Sequence, residues 1–277
     1  MKVQPECYEC LAKLARDAAN LASDDAQIRE GAGIAALQVL ENEFSPDVVS
    51  IEIATKMHDV IKKMSKNADP YRKIKNKEIR QARKLFMDVN KLYKDGFKDK
   101  LRLAVFGNSM DFFRPVQHID ATEKVQFAID ESDLLLERLK SARRVLYLAD
   151  NAGEAYFDMP LYEMMCQYSD VAYVVKSRPV QNDITEEELL LAGLQGKFSK
   201  ILKTGTATPG VILSQASAEF KQAFDEADLI FAKGMGYYEA LHELPRQGRV
   251  FHCLKAKCRP VAKSIGVPLD SFVAMFL

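Results

Sequence analysis

The sequence lacks long apolar runs and any excess of charge. Without about 18 consecutive apolar residues it has no candidate transmembrane helix, and its first residues, Met-Lys-Val-Gln-Pro-Glu, lack the apolar segment of a signal peptide. Lysine plus arginine and aspartate plus glutamate both total 39 in the 277 residues, so the net charge is zero. No overall field then attracts a nucleic acid or an anionic membrane. We expect a cytoplasmic protein with neither kind of partner.

Cysteine and histidine are also scarce. Five cysteines, an odd number in a long chain without a secretory signal, argue against a disulfide scaffold. Cys7 and Cys10 form a CxxC motif and, with Cys253 and Cys258, are candidates for a structural zinc site. The CxxxxC spacing of the second pair departs from common zinc spacing, so reduced buried thiols are the alternative. The four histidines show neither HxH nor HxxxH spacing, which disfavours a histidine-based metal centre.

Residues 1–98 show no strand pattern. Ala, Leu, Lys, Glu and Met dominate, and apolar residues recur at spacings of three and four between Cys7 and Ala22. Ser23-Asp-Asp-Ala and Ser45-Pro-Asp have N-cap chemistry, and Asn67-Ala-Asp-Pro-Tyr71 predicts a turn with proline at the start of another helix. We predict four or five helices and an all-helical N-terminal subdomain over residues 1–98.

Beyond residue 98, short apolar runs alternate with amphipathic stretches. This alternation predicts a mostly parallel sheet with helices on both faces, and hence a three-layer α/β sandwich over residues 99–277. The predicted helical stretches are 121–143, 185–194 and 214–226. The predicted strands are 101–106, 145–149, 171–175, 200–204, 229–232, 250–254 and 272–276.

Polar residues and glycines follow five of the predicted strands. Ligands in open α/β sheets bind at the carboxyl ends of the strands, so these residues would converge on one site. Ordinary turn chemistry, such as an Asx turn after a single strand, is the alternative for each end taken alone. The residues concerned are Asn108 and Asp111, Asp150 and Asn151, Asn182 and Asp183, the segment 204–210, and Lys233, Gly234 and Gly236.

The residue types at these ends suit phosphate chemistry assisted by a metal. Asp150, Asn151 and Asp183 would supply three oxygen ligands to one divalent cation and leave positions for water and substrate. Lys233 would hold a phosphate, and the N–H groups of residues 204–210 would form an anion cradle. A solvated loop lysine and a tight connection are the respective alternatives. Gly234-x-Gly236 lacks the third glycine of a dinucleotide-binding fingerprint, so NAD binding is disfavoured.

The same motifs resemble those of the metal-dependent damage-control phosphatases, first catalogued as a domain of unknown function. The resemblance extends from Cys7 to about Gly266, and Pro5-Glu-Cys-Tyr-Glu-Cys10 with Asp69-Pro-Tyr71 is similar to the prokaryotic, cysteine-containing branch. The order and spacing of the motifs, rather than any one of them, carry it. They are Gly107-Asn-Ser-Met-Asp111, Asp150-Asn-Ala-Gly-Glu154, Arg178-Pro-Val-Gln-Asn-Asp-Ile-Thr185, Gly205-Thr-Ala-Thr-Pro-Gly210 and Ala232-Lys-Gly-Met-Gly236.

The resemblance implies a helical part packed on a three-layer α/β core, and hydrolysis of phosphomonoesters of small metabolites such as sugar phosphates. It implies Asp150, Asn151 and Asp183 as ligands of Mg²⁺, Mn²⁺, Co²⁺ or Ni²⁺. By chemistry, Asp111 or Glu154 would position or deprotonate the attacking water, and Lys233 would hold phosphate. Further candidates for substrate binding are Asn108, Gly205, Thr206 and Gly234.

Two other functions fit parts of the sequence. An S-adenosylmethionine-dependent carboxyl methyltransferase would need a glycine-rich turn after an early strand, for which Gly107-Asn-Ser is a poor match. A module without enzymatic activity would use the cysteines for zinc or an iron–sulfur cluster and retain a vestigial strand-end site.

Overall fold

The computed structural model of the chain describes residues 1–109, 124–245 and 248–277. These ranges contain eleven α-helices and seven strands. The helices are α1 (Pro5–Ala22), α2 (Ala26–Glu43), α3 (Ser50–Ser65), α4 (Arg72–Val89), α5 (Phe97–Gly107), α6 (Ser132–Ser141), α7 (Ala155–Met165), α8 (Glu186–Leu191), α9 (Ala218–Glu226), α10 (Gly234–Leu241) and α11 (Arg259–Ile265). The strands are β1 (Phe127–Asp130), β2 (Arg144–Leu148), β3 (Asp170–Val175), β4 (Ile201–Lys203), β5 (Leu229–Lys233), β6 (Val250–Lys255) and β7 (Phe272–Phe276).

Among the described residues, five α-helices precede the first strand, which confirms the predicted helical region. The cap predicted near residue 23 is also confirmed: the Asp25 carboxylate accepts hydrogen bonds from the N–H groups of Gln27 and Ile28 and begins α2. The cap predicted at Ser45 is wrong, because α3 begins at Ser50 after a residue without a side-chain cap.

The N-terminal helices have an apolar core of their own. It contains buried residues of α1, α2 and α3 and extends into α4 as far as Ile74. From Ile79 onward, α4 packs into the main core beneath the sheet, together with α5. Helix α4 therefore belongs to both parts, and the subdomain boundary placed at residue 98 stays a prediction.

Two predicted elements are wrong. The apolar run Leu101–Phe106 lies within α5, where it is almost entirely buried, and a short apolar run does not distinguish a buried helix from a strand. β1 lies inside the stretch predicted as helix from Ala121 to Arg143. It has only four residues at the edge of the sheet, too few to interrupt a helical pattern.

The seven strands form one sheet in the order β1-β7-β6-β5-β2-β3-β4. Every pair is parallel except β6 and β7. Along β2, Val145 and Tyr147 face the core beneath α5 and α7, while Leu146 and Leu148 face the core beneath α9 and α10. The three-layer α/β sandwich is therefore confirmed.

The topology places a switch point beside β2. From β2 the chain continues to β3 and β4 on one side, whereas β5 and β6 lie on the other. Ligands of doubly wound sheets bind at such a switch point, at the carboxyl ends of the strands. No helix in the described ranges is long and apolar enough to cross a membrane.

Candidate active site at the carboxyl edge of the sheet

Backbone hydrogen bonds bring the three candidate metal ligands together. Asn151 and Asp183 form an isolated antiparallel bridge between the end of β2 and the β3–α8 loop. The Asp150 carbonyl accepts a hydrogen bond from Ile184 N at 2.9 Å, and the Asn182 carbonyl accepts one from Ala152 N at 2.9 Å. Asp183 is buried, whereas Asp150 and Asn151 are half-buried. The site therefore has a buried side and an open side.

Two asparagine amides join the carboxylates of Asp150 and Glu154. Asn108 Nδ2 donates to Asp150 Oδ2 and to Glu154 Oε1, both at 2.9 Å. Asn151 Nδ2 donates to the same two oxygens at 3.1 and 2.7 Å. Lys255 N donates to Asn108 Oδ1 at 3.0 Å, so both ends of the Asn108 amide have protein partners. The geometry makes Asn108, predicted to bind substrate, a link between two carboxylates.

Lys233 lies at the end of β5 and is completely buried. Its Nζ lies 2.6 Å from Ala104 O, 2.6 Å from Asp158 Oδ1 and 2.7 Å from Glu154 Oε2. The ammonium group donates hydrogen bonds to Ala104 O and Asp158 Oδ1, and Glu154 is a further ion-pair partner. The role of Lys233 as a phosphate ligand stays a prediction, and this geometry does not favour it. Lys233 instead holds the Glu154 carboxylate in place.

Asp158 in α7 completes this buried network, although no sequence motif contains this residue. Besides Lys233, its carboxylate accepts hydrogen bonds from Tyr147 OH at 2.8 Å and Tyr173 OH at 2.9 Å. Burial raises the pKa of Asp158, while the neighbouring Lys233 ammonium opposes the shift. The sequence did contain a signal for this residue, because Asp158 lies inside the largely apolar helix Ala155–Met165. A carboxylate in such a helix is expected to be buried and paired with a donor or a cation.

Lys176 is a second buried lysine near the site, and no sequence motif contains it. It follows β3, just as Lys233 ends β5, so the same strand-end pattern would have found it. Its Nζ lies 3.3 Å from Asp183 Oδ2 and donates to Tyr237 OH at 2.9 Å and to the Gly210 carbonyl. Lys176 thus joins the β3–α8 loop to the β4 loop and to α10.

The carboxylates repel one another. Burial raises the pKa of Asp150 well above its ordinary value, and the nearby charges of Glu154 and Asp183 add to the shift. Burial likewise raises the pKa of Asp183 to about 6, against the opposing charge of Lys176. Asp183 Oδ2 is buried and accepts no hydrogen bond within the described part of the chain. A divalent cation fits this oxygen-rich site, because it would relieve the repulsion and use the Asp183 oxygen that accepts no hydrogen bond.

The glycines predicted to bind substrate have different surroundings. Gly205 N donates to Ser177 Oγ at 2.6 Å, and a Cβ at Gly205 would lie 2.4 Å from Ser217 N. The Thr206 hydroxyl is buried and lies 2.9 Å from the Thr208 hydroxyl. Gly205 and Thr206 therefore contact the protein interior and stabilise the conformation of the loop that follows β4, residues 204–210. Gly234, in contrast, begins α10 directly against the Asp150 carboxylate.

The cysteines predicted to bind zinc do not all lie on one side of the sheet. Cys253 of β6 faces the main core, whereas Leu254 and Cys258 belong to the core on the opposite side. The titratable neighbours of Cys258 include Cys7 and Cys10, whereas those of Cys253 are Lys233, Asp158 and Glu154. In the described ranges no group of three or more His, Cys, Asp or Glu side chains is arranged to hold a metal ion. The four-cysteine site is therefore not formed, because strand alternation separates Cys253 from the others.

The proposed ligands at the candidate site are two aspartates, Asp150 and Asp183, and one asparagine, Asn151. Asp111 lies outside the described residues.

Taken together, the sheet topology and the polar groups at its carboxyl edge define an α/β protein with an oxygen-rich ligand site at a topological switch point. The sequence model of the damage-control phosphatase ARMT1-like domain matches residues 3–273, and the chain belongs to this family.

Relatives of known name agree with this assignment. A damage-control phosphatase of Pyrococcus horikoshii is 36% identical over 283 residues, covering 99% of this chain and 98% of the relative. A damage-control phosphatase of Archaeoglobus fulgidus is 32% identical over 287 residues, covering 99% of both chains. The crystal structure of a DUF89 family protein from Pyrococcus horikoshii matches with a TM-score of 0.89 at 35% identity, covering 100% of this chain and 99% of that one. These relatives support a phosphatase function and confirm the predicted family.

Proposed function

We propose that this chain is a metal-dependent phosphatase that hydrolyses phosphomonoesters of small metabolites, with the cation held by Asp150, Asn151 and Asp183. The observation that carries the proposal is the bridge between Asn151 and Asp183, which places oxygen side chains from two strand ends beside each other. Mg²⁺, Mn²⁺, Co²⁺ and Ni²⁺ all accept oxygen ligands of this kind. A bound cation would polarise a phosphoryl oxygen and help to orient the attacking water.

Positive groups close to Asp150 support phosphate binding. Lys257 follows β6, is only 8% exposed, and its charge lowers the pKa of Asp150 against the larger effect of burial. The backbone N–H of Lys257 donates to Sδ of Met235 at 3.3 Å, and Met235 lies in the first turn of α10. That helix begins without a side-chain cap, and free N–H groups at a helix N-terminus attract anions. We assign the phosphate to Lys257 and the first turn of α10, in place of Lys233.

Glu154 and Asp111 have different parts in this proposal. Glu154 is fully buried; one oxygen accepts from Asn108 and Asn151, and the other faces Lys233. A carboxylate held on all sides is suited to positioning neighbours rather than to taking a proton from water. Its task is to keep the Asn151 amide turned so that Oδ1 remains for the cation. Asp111 is left as the residue proposed to orient or deprotonate the water.

A panel of phosphorylated metabolites and p-nitrophenyl phosphate, assayed with each of the four metals and with a chelator, tests the proposal. We expect hydrolysis that depends on added metal and that is lost in Asp150→Ala and Asp183→Ala, with both variants folded by circular dichroism. Asp88→Ala, a surface variant whose side chain is 79% exposed, serves as the control and should retain full activity. A fully active Asp150→Ala protein would exclude the proposed site.

The methyltransferase alternative has no support in this geometry. Gly107 ends helix α5, so Gly107-Asn-Ser is not a glycine-rich turn after a strand. Calorimetry with S-adenosylmethionine checks the point, and we expect no binding. The alternative of a module without enzymatic activity is checked by the phosphatase panel together with elemental analysis for zinc and iron.

A further inference from the structure

The loop between β3 and α8, which carries Asp183, is held from two sides. On the sheet side, the Asn182 carbonyl accepts the N–H of Ala152 and Ile184 N donates to the Asp150 carbonyl. On the other side lie the helices of the N-terminal part. Lys62 Nζ of α3 donates to the Pro179 carbonyl, within the same loop.

A buried contact from the helical side is made by Glu78 of α4. Its two carboxylate oxygens accept from Asn182 Nδ2 at 3.0 and 3.3 Å. Glu78 is 8% exposed and Asn182 4% exposed, so the contact is shielded from water. Burying a carboxylate is costly unless hydrogen bonds compensate, and Glu78 is placed where it receives one from the residue just before Asp183.

A second buried contact ties α4 to the end of the same loop. Lys75 Nζ, fully buried, lies 2.7 Å from Glu188 Oε1 and 2.9 Å from Asp69 Oδ2. Glu188 also accepts the Thr185 N–H at 2.9 Å in a capping box that begins α8. Successive turns of α4 therefore hold the loop both before and after Asp183.

We propose that Glu78 is a positioning residue that sets the place of the Asp183 carboxylate through Asn182, so that the helical part completes the metal site of the α/β part. This inference rests on the proposed function, because it takes Asp183 to be a metal ligand. Groups that orient a metal ligand typically change metal affinity by about 10- to 100-fold when removed. A shift in loop position transmitted over one residue would act in this way.

Calorimetric titration of Mn²⁺ into the metal-free full-length protein tests the proposal independently of catalysis. We expect Glu78→Ala and Asn182→Ala each to weaken Mn²⁺ binding by about 10-fold or more, and Glu78→Gln, which keeps one acceptor oxygen, to weaken it less. The double variant should be no weaker than either single variant, because both changes break one contact. The Mn²⁺ concentration that half-saturates the phosphatase should rise in parallel.

Two controls separate the possible outcomes. Ile79→Val changes the neighbouring residue of α4, which packs in the main core, and should leave Mn²⁺ binding as in the wild type. Asp183→Ala should weaken binding most; if it does not, the proposed metal site fails. If Asp183→Ala weakens binding but Asn182→Ala and Glu78→Gln bind Mn²⁺ like the wild type, the positioning role of Glu78 is refuted even if Glu78→Ala does not fold.

Discussion

The Asp150 carboxylate lies directly against the Cα of Gly234. A Cβ placed on Gly234 would be 1.9 Å from Asp150 Oδ2 and 2.4 Å from its Cγ. Gly234 also has a φ of +77°, in the left-handed region that side chains disfavour. Backbone conformation and close approach thus both require glycine here. This contact fixes the distance between the end of β2 and the first turn of α10.

We expect Gly234→Ala to displace the Asp150 carboxylate and to reduce phosphatase activity by about 100-fold, the effect of a misplacement of about 1 Å at a reacting centre. Steady-state kinetics and Mn²⁺ titration measure it. Gly266→Ala is a matched control, since Gly266 has a φ of +86° but no atom within 4 Å of its added Cβ. It should lose about 1 kcal/mol of stability and keep its activity. Equal activity of the two variants would contradict the prediction.

Asp158→Ala should lower the free energy of unfolding by about 3–5 kcal/mol, the usual cost of breaking a buried ion pair from one side. The Lys233 ammonium would lose a partner at 2.6 Å, and the hydroxyls of Tyr147 and Tyr173 would lose their acceptor. Urea unfolding measures the change. Asp88→Ala, which breaks an exposed pair with Lys91, should cost less than about 1 kcal/mol. A similar cost for both variants would show that the buried network does not stabilise the fold.

Lys257→Ala should raise the KM for phosphomonoesters and weaken inhibition by inorganic phosphate, each by about 10-fold, because a charge-assisted hydrogen bond to phosphate contributes about 1.5–3 kcal/mol. Mn²⁺ affinity should change little. Lys255→Ala is the control: its ammonium lies 3.6 Å from Asp270 and is assigned no part in binding. Unchanged inhibition by phosphate in Lys257→Ala would remove Lys257 from the proposed site.

The buried His58 should lower stability at acid pH, whereas Asp150 and Asp183, whose pKa values are raised, act in the opposite direction. The Nδ1–H of His58 donates to the Ala54 carbonyl at 2.7 Å, and Nε2 lies 3.3 Å from Tyr71 OH. Burial lowers the pKa of His58 from 6.5 to about 4, so the ring is neutral at pH 7. Between those two pKa values, His58 binds more protons in the unfolded chain than in the folded one, so its contribution to stability falls as the pH falls. At pH 5 the loss attributable to His58 is about 2 kcal/mol.

Urea unfolding of wild type and His58→Gln at pH 7 and pH 5 measures this contribution. The variant should lose less stability than the wild type between the two pH values. Groups that both proteins share cancel in this comparison; they are His252, whose pKa burial lowers to about 3, and Asp150 and Asp183, whose pKa values are raised. An identical pH dependence in wild type and variant would contradict the assignment to His58.

Much of the fold was predictable because its signals are local. The runs that became β2, β3, β5, β6 and β7 are largely apolar over four or five residues and are bounded mostly by polar residues. The segment from Leu101 to Phe106 has a similar composition but forms a helix. A short apolar run can be buried in the core either as a helix or as a strand, so its composition alone did not distinguish the two. β1 has too few residues to produce a period of its own.

Within the candidate site, the sequence by itself determined which chemical groups stand at the strand ends: the order of motifs places Asp150, Asn151, Asp183 and Gly234 after buried strands. Only the tertiary structure decided what those groups face. Lys233 is bound to Ala104, 129 positions away in the sequence, and to Asp158 in a helix without a motif. Glu78 meets Asn182 across 104 positions. Periodicity and turn chemistry arise from neighbours in the chain, whereas the partner of a buried charge is set by packing between distant segments, which no local pattern records.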